Sequence, residues 1–105
     1  MQWMITYCLR PEGSWRGYDD NVAGLLGTFA EWTPPEGVEI VTFVHRADAK
    51  GGWMMVECDD VRGPSEIVAQ YLAFHDAEIF PVLPAVEMAQ RLGEAMAWRN
   101  EAMTS

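Results

Sequence analysis

The side chains of this sequence best suited to proton transfer near neutral pH are its two histidines, His45 and His75. His75 is the stronger candidate for a general acid or base. Asp76 follows it, and a neighbouring carboxylate can orient an imidazole and raise its pKa. Tyr71 lies four residues earlier, one turn away on a helix that the spacing predicts to end near His75. The same position also suits a histidine that closes a helix against its last carbonyls and dipole. His45 ends an apolar run, where it is either a rim residue or a second catalytic imidazole. Trp53, Trp15, Arg16 and Arg46 are the residues expected to position a substrate or meet its anionic group. Gly24 and Gly27 interrupt a predicted helix, at up to about 1 kcal/mol each relative to alanine. They mark either close approach to a large neighbour or space for a ligand. The two cysteines, Cys8 and Cys58, are not at metal-ligand spacing, and no HxH, HExxH or CxxC motif is present. Neither a metal nor a cofactor is expected.

The elements that must hold these residues follow from periodicity. Residues 2–9 alternate like a strand, and a turn-rich RPEGSWRG closes it. Asp19 or Asp20 can cap a helix whose stripe is Val22, Leu25, Leu26 and Phe29, with Pro34-Pro35 stopping it. Residues 38–46 and 53–58 form a hairpin across a polar turn ending in Gly51-Gly52. Gly63-Pro64-Ser65-Glu66 opens a second helix with the buried face Ile67, Val68, Tyr71 and Leu72. Residues 78–83 make a fourth strand, and a last helix runs from Pro84 nearly to the end. The order β-α-β-β-α-β-α predicts one ferredoxin-like α+β domain over residues 1–105, with an antiparallel sheet in spatial order 4-1-3-2. In that topology the hairpin turn, the first strand's exit and the start of the fourth strand share one end. His45, Arg46, Trp53, Trp15, Arg16 and His75 gather there.

The hairpin carries apolar residues on both parities: Val38, Ile40 and Val44 against Val41 and Phe43, then Trp53 and Met55 against Met54, Val56 and Cys58. A strand wet on one face alternates cleanly, so this pattern asks for cover on both faces. A chain of 105 residues has few elements to spare, and a homodimer through the sheet face is the expected solution. Sixteen acidic residues against seven basic ones give a net charge of −9, which disfavours nucleic acid and anionic membrane surfaces as partners. No apolar run reaches about 18 residues, and the opening MQWMITYCL alternates like a strand rather than a signal peptide. A cytoplasmic protein is expected.

The segments WTPPEGVEIVTFVHRAD, GGWMMVECDD, FPVLP and AMAWRNE, in this order of elements, resemble a family of small, uncharacterised bacterial proteins of the dimeric α+β barrel superfamily. The resemblance covers nearly the whole chain. It implies a ferredoxin-like subunit paired into a barrel, in a superfamily that includes cofactor-independent oxygenases, haem-degrading enzymes, lactone isomerases and stress-responsive proteins. The expectation is a homodimeric barrel that binds a small, partly apolar molecule between sheet and helices. If catalytic, it would be a cofactor-independent oxygenase or isomerase, with His75 as acid or base. The alternative is a non-catalytic dimeric accessory or regulatory domain.

Overall fold

Alternate residues of β1 (Gln2–Leu9) point to opposite faces, and this strand sits inside the sheet with a partner on each side. It pairs antiparallel with β3 (Gly51–Glu57), setting Ile5 opposite Met54, and antiparallel with β4 (His75–Val82), setting Ile5 opposite Ile79. The strand β2 (Glu39–His45) adds outside β3, with a register shift between Ile40 and Thr42. The computed structural model, which describes residues 1–11 and 13–104, thus has a four-stranded antiparallel sheet in the order β2-β3-β1-β4. That is the predicted order read from the other edge. Three helices complete the ferredoxin-like β-α-β-β-α-β-α arrangement: α1 (Trp15–Ala30), α2 (Arg62–Tyr71) and α3 (Ala85–Thr104).

The predicted dimeric α+β barrel is corrected. The sheet is open, with β2 and β4 each bonded to one neighbour. The two-sided apolar pattern misled for a physical reason. One face holds Ile5, Met54 and Val56, all buried, while the other presents Val44, Trp53 and Phe80 at 49%, 42% and 40% exposure. Apolar residues on both parities therefore mark one covered face and one exposed face, not two covered ones.

Helix ends follow local chemistry. Ser14, in extended backbone, caps α1 by accepting from the Gly17 N–H at 3.1 Å, so the cap lies earlier in the chain than the expected Asp19 or Asp20. The start of α2 lies against the lower end of the sheet. A Cβ on Gly63 would stand 2.7 Å from Val38 Cγ2 and 2.9 Å from Cys58 Sγ, so only glycine lets the backbone approach so closely. Pro64 in its first turn is fully buried.

The core is small: Ile5, Met54, Val56, Cys58 and Ile67, with α2 as its lid. In contrast, α1 buries no side chain, and neither does α3, whose Val86, Leu92 and Met96 are 74%, 60% and 56% exposed. The radius of gyration of 18.6 Å exceeds the roughly 13 Å of a closely packed chain of this length. No helix among the described residues is long and apolar enough to cross a membrane.

Candidate functional site

Because α1 stands off the sheet, a cleft of about 350 Å³ opens between it, α2 and the inner sheet face. Six aromatic side chains form a closed collar around it. Tyr7 meets His75 with ring centroids 4.8 Å apart, His75 meets Tyr71 at 6.3 Å, and Tyr71 meets Trp32 at 5.7 Å. Trp32 then stacks with Phe29 at 6.2 Å, Phe29 meets Phe43 at 5.8 Å, and Phe43 returns to Tyr7 at 6.2 Å. Most of these contacts are edge-to-face, the favourable geometry for ring quadrupoles. The members come from β1, β2, β4, α1, α2 and the segment after α1, so the collar exists only once the chain has folded.

The polar atoms of the collar fall into two groups. Trp32 donates its indole Nε1–H to Gln70 Oε1 at 2.8 Å. Tyr7 Oη, Tyr71 Oη and His75 Nε2 are shielded from water and have no hydrogen-bond partner among the described residues. The Tyr7 hydroxyl lies over Gly52, directly opposite on β3, where any Cβ would collide with it. Burial pushes the Tyr7 phenol up to about 12 and raises Tyr71 as well. Burial, and then the proximity of His45, hold the His75 imidazole below its ordinary value. All three groups are thus held in their uncharged forms near neutral pH. Among the described residues, no Asp, Glu, Lys or Arg lines the cleft.

Three residues named from the sequence, His75, His45 and Tyr71, line this cleft. His75 is not the last residue of a helix: α2 ends at Tyr71, the Phe74 N–H closes a turn onto the Tyr71 carbonyl, and His75 opens β4 opposite Leu9. His45 ends β2, its Nδ1 3.1 Å from the Arg46 carbonyl and its ring 5.8 Å from that of Tyr7. Trp53 lies on the outer sheet face, opposite Thr6. Trp15 is 71% exposed at the start of α1, and the Arg16 guanidinium sits 5.2 Å from the centre of its ring. Arg46 pairs with Asp48 in the hairpin turn. Gly24 faces Phe74, where a Cβ would lie 3.0 Å from the ring, whereas a Cβ on Gly27 would meet nothing within 4 Å.

The acid–base arrangement expected around His75 does not form. Successive strand residues face opposite ways, so Asp76 points to the outer face and pairs with Arg10 at 3.2 Å. No carboxylate orients the imidazole. No group of three potential metal ligands occurs among the described residues. The open sheet corrects the expectation of a homodimeric barrel, and the turn of Asp76 away from His75 removes the acid–base pair expected of a cofactor-independent oxygenase or isomerase.

Four collar members, Tyr7, Phe29, Trp32 and Phe43, are not among the site residues expected from the sequence. For Tyr7 a signal existed: Gly52 inside a strand announces close approach by something large. Fold and cleft together define an open-sheet, ferredoxin-like α+β domain with an aromatic cleft on its helical side. Residues 1–96 match the family described as a domain of unknown function (DUF3303), and the chain belongs to that family. None of the curated proteins matches the chain.

Proposed function

We propose that this domain binds a small, largely apolar molecule in the cleft between α1 and the inner sheet face. The observation that carries this reading is the aromatic collar around an unfilled space of about 350 Å³, a volume within the usual range for small-molecule sites. His75, His45 and Tyr71 are assigned as lining residues of that site. Trp53, Trp15, Arg16 and Arg46 lie away from the cleft, and Gly24 shapes the approach of α1 to Phe74. The net charge of −9 supports a small molecule over nucleic acid as the partner. The two free cysteines, Cys8 and Cys58, support a reducing, cytoplasmic setting.

The test is a titration with N-phenyl-1-naphthylamine, an uncharged dye whose fluorescence rises in apolar surroundings. Saturable one-to-one binding is expected, and Leu25→Trp, which places an indole in the cleft from the α1 side, should weaken it at least tenfold. An absent or non-saturable signal with the unaltered protein would sink the reading.

A further inference from the structure

Resting on that cleft reading, we propose that the occupant is an electrically neutral, largely apolar molecule that fits the space of about 350 Å³. It carries one hydroxyl or carbonyl group, seated against the arc formed by Tyr7, His75 and Tyr71. Three atoms of the collar lack partners among the described residues. Buried polar groups in folded proteins are nearly always hydrogen-bonded, and leaving one unmet is costly. Here three of them, Tyr7 Oη, His75 Nε2 and Tyr71 Oη, belong to consecutive rings of one collar. Elsewhere in the collar the one polar hydrogen is already used, on Gln70. The unmet capacity is therefore gathered on a single arc, and the opposite arc, Trp32, Phe29 and Phe43, offers ring surface alone. An occupant matched to this division has one polar end and an otherwise apolar body.

The identity of the polar end follows from what the arc can exchange. Each phenol can donate one hydrogen and accept others, and a neutral imidazole Nε2 donates or accepts according to its tautomer. A carbonyl oxygen accepts from two donors, and a hydroxyl both donates and accepts, so either satisfies at least two of the three atoms. The arc is closed to water in the present arrangement, so the head group reaches it by displacing a ring outward. The wall able to yield is α1, which buries no side chain of its own.

The absence of charge follows from the lining. Among the described residues, no acidic or basic side chain other than the two histidines faces the cleft. A carboxylate or phosphate would enter without a counter-ion, and burying an unpaired ion is among the most unfavourable steps available. A cation would gain some attraction from ring faces. Yet the cleft already disfavours a positive charge of its own, since the buried His75 imidazole beside His45 resists protonation. The surroundings that keep the phenols and the imidazole uncharged act on a guest in the same way.

Four probes with one ring system test this by displacement of the naphthylamine dye at pH 7.5: naphthalene, 2-naphthol, 2-naphthoate and trimethyl(2-naphthyl)ammonium. 2-Naphthol is expected to bind about tenfold more tightly than naphthalene, the factor corresponding to one hydrogen bond regained. Both charged analogues should bind at least tenfold more weakly than naphthalene. The variants Tyr7→Phe and Tyr71→Phe, each the loss of one oxygen, should shrink the ratio of naphthol affinity to naphthalene affinity. Equal affinity for naphthol and naphthalene, or tightest binding by either charged probe, overturns the head-group inference and leaves the cleft reading standing. Failure of the dye and of all four probes to bind defeats the cleft reading itself. A naphthol preference that survives both tyrosine variants removes the arc from the account.

Discussion

The two faces of the sheet are built from the same strands and both carry apolar residues, yet they do opposite things. On the inner face Ile5, Met54 and Val56 disappear beneath α2, and Tyr7, Phe43 and His75 join rings from the helices to enclose a cleft. On the outer face Trp53, Val44 and Phe80 stand open, beside the ion pair of Arg10 with Asp76. The pleat decides which side chains share a face; it does not decide what covers them. Cover comes from the connections, and both βαβ crossovers place their helices on the same side. An apolar face without a helix is then merely apolar, whereas the inner face gains both a core and a site.

The comparison can be broken most directly at Met54 and Trp53, adjacent residues on opposite faces. Met54→Ala removes a buried side chain from the core and is expected to cost about 2–5 kcal/mol of folding stability. Trp53→Ser is expected to change stability by about 1 kcal/mol or less, because its side chain is already half in water. Urea unfolding of both variants reads the difference. Equal losses would mean that the outer face is covered in solution, and the contrast between the faces would collapse.

A smaller effect tests the fit within the inner face. Gly52→Ala places a Cβ against the Tyr7 hydroxyl and the Val44 carbonyl, so the tyrosine must leave its seat and the strand must shift. Overpacking of this kind typically costs about 1–3 kcal/mol. The double variant with Tyr7→Phe should recover part of the loss, since the colliding oxygen is gone. A Gly52→Ala protein as stable as the parent would show that Tyr7 does not occupy the position assigned to it.

Much of this architecture was legible in the sequence because it rests on local signals. Proline and glycine punctuation, the apolar stripe of α1 and the strand alternation give the order of elements, and crossover handedness gives the strand order. His75 shows where local reading stops. Tyr71, Leu72 and Phe74 continue an apolar helical spacing, so the residue looked like a helix end. Pairing of His75, Asp76 and Ala77 with Leu9, Cys8 and Tyr7, more than sixty residues away in sequence, pulls the segment into the sheet instead. That reversal turns Asp76 away from the imidazole and removes the expected catalytic pair. Gly52 shows a second limit. Read as part of a turn it explained nothing further, but inside β3 it is the seat of a tyrosine. The collar joins residues from six parts of the chain, and no spacing rule brings Phe29, Phe43 and His75 together.

The last difference between the faces is electrical and modest in size. His75, enclosed on the inner face with Tyr7, Tyr71 and His45 as its polar neighbours, has a pKa below its ordinary value of 6.5. In the unfolded chain it takes up a proton near that ordinary value; in the folded protein it does so only at lower pH. Between the two values the unfolded state binds more protons, so stability falls as pH falls, by at most about 1.4 kcal/mol per pH unit from this group. The loss begins near pH 6.5 and levels off once the folded-state imidazole is protonated. His75→Gln removes this titration, and the difference in urea midpoint between pH 7.5 and pH 5.5 should be smaller in the variant than in the parent. Groups common to both proteins cancel in that comparison. An identical pH response in the two proteins would place His75 in water, and the inner face would then be no more enclosed at its rim than the outer one.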